Sequence, residues 1–164
     1  MDADLAQRAQ VGGVNAARGP VVAVLAVMIR DGRVLLARRA NRPDAGLWGF
    51  PGGKVDFGES IEAAAVRELF EETRVIGEPL QVLTALDVFD REEGGLLQQH
   101  FVLVAVLCRW RSGEPRAGDD ALDARWFALE DVDPATLPMS ARVVEVAQLA
   151  ADAGAAASRK PDAP

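Results

Sequence analysis

The chain has 164 residues, 49% hydrophobic and 26% charged, the balance of one globular domain with a core of its own. A single cysteine, Cys108, excludes a disulfide framework and a cysteine-built zinc site. The net charge of −7 argues against general binding to a nucleic-acid backbone, and the longest apolar runs, 21–29 and 101–108, are too short to cross a bilayer.

Residues 1–19 mix small and polar types without a period and read as a flexible lead-in. The opening Met-Asp-Ala-Asp has neither a basic region nor an apolar stretch behind it, so a cytoplasmic location is expected. Residues 21–29 are rich in β-branched side chains and predict a strand; Asp31-Gly32 is a hairpin turn, and 34–39 is its partner strand. A loop at 41–46 leads into an extended stretch at 48–54. Ser60 is placed to cap a helix running to about residue 74, closed by Gly77 and Pro79. Residues 82–89 and 101–109 predict two more strands around a glycine turn at 91–95. The second of them is apolar almost throughout and suits the middle of a sheet. A short strand at 124–128 precedes a terminal helix at 140–153, with Val143, Val146, Leu149 and Ala150 on one stripe. The domain is expected over 20–153, followed by a flexible tail at 154–164. Strands, helix, strands and helix in this order predict an α/β fold, a mixed sheet held between helices.

The informative segment begins at Gly52. On a helix turning about 100° per residue, Glu72 lies about 40° from Glu68, and Glu71 about 60° on its other side. Three carboxylates therefore share one stripe. Ala64 and Ala65 lie one turn earlier and are read as room for a ligand, while Val66, Leu69 and Phe70 are assigned to the core side. Like charges one turn apart destabilise a helix, and two of these sit near its C-terminus, where the dipole disfavours anions. Arg67 can offset part of this repulsion, being four residues before Glu71. A hard divalent cation would offset the rest, and it could polarise a phosphoryl group and activate a water. Gly52-Gly53 allow close backbone approach, and Gly58 permits a tight turn that folds Glu59 back toward the acids.

The spacing Gly53, Glu59, Arg67, Glu68, Leu69, Glu71, Glu72, Val75 resembles the Nudix box, and Phe50-Pro51-Gly52-Gly53-Lys54 is similar to its usual lead-in. One position departs: the closing glycine is Arg74 here. If the helix ends left-handed at that point, a side chain costs on the order of 1 kcal/mol. The resemblance implies an α/β/α sandwich with a mixed β-sheet between helices. It also implies cleavage of the pyrophosphate bond of a nucleoside diphosphate linked to another moiety, with magnesium or manganese as cofactor. By the same resemblance, Gly52 (through its carbonyl), Glu68, Glu71 and Glu72 would be the metal ligands. Glu68 and Glu71, or an acid from a later loop, would serve the attacking water. Arg67 would orient Glu71, and Glu59 would brace the loop or support the metal. Arg39, Phe50, Gly53 and Lys54 would meet the substrate. The implied partner is a small nucleotide rather than a nucleic-acid polymer or a membrane, and a homodimer is compatible with the family. A non-catalytic nucleotide-sensing or interaction module on the same fold is the alternative; it predicts a degraded acidic set, which is not what the sequence carries.

Outside this segment the signals are weaker. Arg38 reads equally as a substrate contact or an exposed strand end. Trp48 reads as core packing, which is also the commoner role for Phe50. His100 reads as an ordinary polar residue at a strand start. Asp119, Asp120 and Asp123 read as a solvated turn, with Asp120 and Asp123 as candidates for the late acid. Substrate markers that the family often carries after the box, a proline or a tyrosine, are missing: Arg91 stands at that place, and the chain has no tyrosine.

Overall fold

The computed structural model describes residues 19–158. Seven strands form a mixed sheet: β1 (Val21–Arg30), β2 (Arg33–Arg39), β3 (Trp48–Gly49), β4 (Gly52–Lys54), β5 (Ile76–Arg91), β6 (Leu97–Ser112) and β7 (Ala121–Ala128). Among the described residues, two α-helices accompany the sheet, α1 (Ile61–Thr73) and α2 (Val143–Ser158). The main strand path runs β3-β2-β1-β6-β5, with β4 added to β1 and β7 to β2.

The centre is the parallel pair of β1 and β6, in register from Val21 opposite Phe101 to Met28 opposite Cys108. Both strands are apolar on both faces, and alternation sends the two sets of side chains to different cores. Val24, Ala26 and Met28, with Val104, Val106 and Cys108, pack under α1 against Ala64, Ala65 and Leu69. Val27, with Ala105 and Leu107, packs on the other side against Val143, Val146, Ala147 and Ala150 of α2. The result is an α/β/α sandwich. Complete burial of Leu69 contributes roughly 2–3 kcal/mol toward anchoring α1.

The elements differ from the sequence reading in four places. Gly77 and Pro79 do not close the helix, which ends at Thr73; they lie inside β5, which starts six residues before the expected 82. Pro79 is tolerated because β5 ends the strand path and has only β6 to pair with. Strand β6 starts at Leu97, so His100 lies within it rather than at its start. Helix α2 starts at Val143 and continues to Ser158, past the expected boundary at 153; Ala147 replaces the exposed Leu149 on its buried stripe. The lead-in at 1–18 and the tail at 159–164 lie outside the described residues.

Candidate active site

The site is assembled by one loop–helix unit, 52–74, pressed against the sheet. Strand β4 pairs with β1, opposing Gly53 to Val24 and Gly52 to Leu25. A side chain at Gly52 would fall 2.1 Å from the Val24 carbonyl oxygen, so only glycine lets this pairing form. Gly58, at φ 84°, turns the chain into the helix, and Ser60 caps it by accepting a hydrogen bond from the Ala63 amide at 3.1 Å.

Arg67 is the hub of the unit. Its Nε and Nη2 donate to the two Glu59 oxygens at 2.8 and 2.9 Å, a forked, charge-assisted pair. Its Nη1 donates to Glu68 at 2.6 Å and to Glu71 at 3.1 Å, and Nη2 also reaches the Lys54 carbonyl at 3.1 Å. Glu59 accepts in addition from the Asp56 amide. These bonds hold the Glu59 carboxyl down to about 2, the Arg67 side-chain bond being the largest cause.

Beside this hub lies a cleft of about 300 Å³, lined by Arg39, Asn41, Gly52, Gly53, Lys54, Glu68, Glu72 and Asp120 among others. Burial pushes the Glu72 carboxyl up to about 7; Glu68 and Asp120 push the same way, while Arg39 and the Gly52 amide oppose. Burial also raises Glu68, against the pull of Arg67. A side chain on Gly53 would sit 2.4 Å from a Glu68 oxygen, so the bare glycine loop is the floor on which that carboxylate rests. Continuous with the cleft is a larger, mainly apolar cavity of about 520 Å³. The two share Arg39, Gly52, Gly53 and Lys54, and the larger one adds Phe50, Leu86, Phe89, Phe101, Leu103 and Val143.

Of the residues singled out in the sequence, Arg39, Gly52, Gly53, Lys54, Arg67, Glu68 and Glu72 meet in the cleft, and Phe50 lines the adjoining cavity while being almost wholly buried. Glu59 and Glu71 do not line the cleft; both are engaged by Arg67, and Glu71 is half exposed. Ala64 and Ala65 leave no room for a ligand, because both are fully buried against the sheet. Phe70 is not a core residue but 43% exposed, with the Arg74 guanidinium over its ring. Arg38 donates to the Gly46 carbonyl, and Trp48 packs edge-on against Phe127. His100 pairs with Asp87 at 2.8 Å beside the Phe89 ring, away from the acidic cleft.

The three late acids do not share one turn: Asp119 and Asp120 precede β7, and Asp123 lies within it, opposite Arg38. Asp123 pairs with Arg125 and accepts from the Ala124 amide. Asp119 pairs with Arg74 at 2.9 Å. Asp120 enters the cleft, bonded by Asn41 at 3.3 Å, so this part of the turn is not simply solvated. Neither Asn41 nor Asp120 could be placed by spacing, since they lie 79 residues apart. Arg74 is the helix C-cap at φ 62° and ψ 12°, the left-handed conformation in which glycine is unstrained.

The chain belongs to the NUDIX family: the NUDIX domain model matches residues 18–148. An ADP-ribose pyrophosphatase from Methanocaldococcus jannaschii is 36% identical over 113 residues, 69% of this chain and 64% of that protein. An oxidized purine nucleoside triphosphate hydrolase from Danio rerio is 32% identical over 108 residues, 66% of each. The chain thus spans just under two thirds of the length of these relatives. Among solved structures, a MutT NUDIX hydrolase from Burkholderia pseudomallei matches with a TM-score of 0.69 at 35% identity, covering 80% of this chain and 98% of that one. The NUDIX domain of Shewanella oneidensis NrtR, solved with ADP ribose, matches with a TM-score of 0.69 at 26% identity, covering 90% and 97%.

Proposed function

We propose that this protein is a divalent-metal-dependent pyrophosphohydrolase that cleaves a nucleoside diphosphate joined to a further moiety. The observation that carries this reading is the continuity of the two cavities across Arg39, Gly52, Gly53 and Lys54. The polar end suits a diphosphate and the apolar end suits a nucleoside. The relatives named as ADP-ribose pyrophosphatase and oxidized purine nucleoside triphosphate hydrolase support the substrate class.

The cleft fits a hard cation by its donor chemistry. Glu68, Glu72 and Asp120 offer only oxygens, and the backbone of Gly52 and Gly53 lies open beside them. Glu71, half exposed and held by Arg67 beside Glu68, would add a fourth carboxylate. Among the described residues, no three acidic, histidine or cysteine side chains converge tightly enough to hold a metal unaided. An ion held there would have to complete its coordination with waters and substrate phosphate oxygens, as magnesium does; manganese would serve in the same place. When bound, the ion would supply charge neutralisation at the diphosphate and lower the pKa of a bound water.

The chain's own residues do the remaining work. Arg39 and Lys54 provide positive charge where the two cavities meet, and so orient the phosphates. Arg67 fixes the Glu68 carboxylate and, through Glu59, the loop that floors the cleft. A carboxylate of the cleft accepts the proton of the attacking water as a new phosphorus–oxygen bond forms and the bridging one breaks. The test is release of phosphate or nucleoside monophosphate from ADP-ribose, ordinary and oxidised nucleoside triphosphates and a dinucleoside polyphosphate, each with and without magnesium. Magnesium-dependent cleavage of one class establishes the reading. Binding without cleavage of any overturns it in favour of a nucleotide-binding module.

A further inference from the structure

Arg74 occupies a left-handed cap, where a side chain is strained and glycine is not. The compensation must come from what the side chain does. Its guanidinium lies over the Phe70 ring and binds Asp119 at 2.9 Å, across 45 residues of sequence. The segment that carries Asp119 is drawn along the helix end by backbone bonds as well: the Arg116 amide donates to the Thr73 carbonyl, and the Gly118 amide to the Glu72 carbonyl, both at 2.9 Å. The contact at Gly118 is so close that an added Cβ would overlap the Glu71 carbonyl oxygen, 1.7 Å away.

The next residue is Asp120, whose side chain enters the cleft that already holds Glu68 and Glu72. Like charges in one cleft repel, so without a cation this carboxylate is pushed outward. Asn41 bonds the carboxylate directly and the Ala40 amide bonds the Asp120 carbonyl, both at a long 3.3 Å; the Arg74–Asp119 pair adds an anchor one residue away. Asp119 is largely exposed, and an exposed ion pair adds little global stability. It can still bias where a short loop rests.

We propose that Arg74 is a positioning residue, which tethers Asp119 and thereby holds the Asp120 carboxylate in the catalytic cleft. This inference rests on the pyrophosphohydrolase reading for its effect on turnover, but not for its effect on the loop.

The test is a double-mutant cycle on the full chain with Arg74→Gly and Asp119→Ala, read in two ways. In hydrogen exchange, Arg74→Gly should speed exchange across 116–121 by about two- to fivefold, the range expected for one exposed pair, while α1 stays protected. In kinetics with magnesium and the preferred substrate, kcat should fall by a similar factor with KM nearly unchanged. The double variant should be no worse than either single one, and Arg74→Lys should recover part of the loss. In an Asp120→Ala background, Arg74→Gly should have no further effect on kcat. Unchanged loop exchange in Arg74→Gly would overturn the tether whether or not the protein is active. Additive losses, or full kcat alongside a loosened loop, would overturn the link to Asp120. A wild-type protein that cleaves nothing would sink the proposed function and leave the exchange result to decide the tether.

Discussion

Replacing Glu72 by glutamine should stabilise the metal-free protein at alkaline pH while removing most of its turnover. The carboxyl ionises near 4.5 in the unfolded chain and near 7 in the folded one, chiefly because burial penalises its charge. Between those values the folded state keeps a proton that the unfolded state has lost. Stability therefore falls as pH rises from 4.5 to 7 and levels off beyond. A shift of this size corresponds to roughly 3 kcal/mol at pH 8, with the opposing attraction to Arg39 already included. For a domain of this length that is on the order of 5–10 °C in Tm. Thermal melts of both proteins in a chelating buffer, at pH 5 and pH 8, provide the assay. The Glu72→Gln variant should melt higher at pH 8, and the gap should close at pH 5. Magnesium should then raise the wild-type Tm more than that of the variant, since only the intact carboxylate set binds it well. A variant that is no more stable at pH 8 than wild type, or whose advantage is the same at both values, would refute the burial argument.

Substitutions at two further positions probe the support of the site. Arg67→Ala leaves Glu68 and Glu59 without their cation and should lower the urea-unfolding midpoint; Arg67→Lys should restore only part, because an ammonium cannot fork across both Glu59 oxygens. Arg67→Ala should also remove the Glu59 share of the stability that wild type loses as pH falls from 4.5 toward about 2, leaving the share of Glu145, which Arg142 holds low. Gly53→Ala places a methyl 2.4 Å from the Glu68 carboxylate and should cut kcat sharply. Its circular dichroism should stay native, since the clash is with a side chain that can swing away.

The central strands were legible because period and composition agree on them. Residues 21–29 and 101–109 carry β-branched and apolar side chains without alternation, which only a strand covered on both faces permits, and β1 and β6 are covered by α1 and α2. The edge was less legible. Residues 76–81 include a glycine and a proline, which locally signal a stop. They belong to β5 because the hairpin with β6 continues through them, with register shifts at Gly77 and between Pro79 and Gln81. Tertiary pairing overrode a correct local reading of the residues.

In the site, the sequence could state distances along one helix but not the direction in which the helix faces. Glu68 and Glu72 share a flank, as their spacing of four requires, yet spacing alone left Ala64 and Ala65 on the ligand side. The structure shows what those alanines do. With no bulk at either position, α1 sits directly on the sheet, with Ala64, Ala65, Leu69 and Thr73 buried beneath it. That close approach carries the neighbouring Glu68 and Glu72 partly out of water, and burial is the leading cause of both raised carboxyls. The small residues thus act on the acids rather than on a ligand. The sequence offered Asp120 and Asp123 alike as late acids and gave Arg74 no partner, because the choice and the pairing depend on a loop returning 45 residues later to bond the helix end. The one local hint was the arginine at a position that prefers glycine, and it is that misfit residue whose side chain reaches the returning loop.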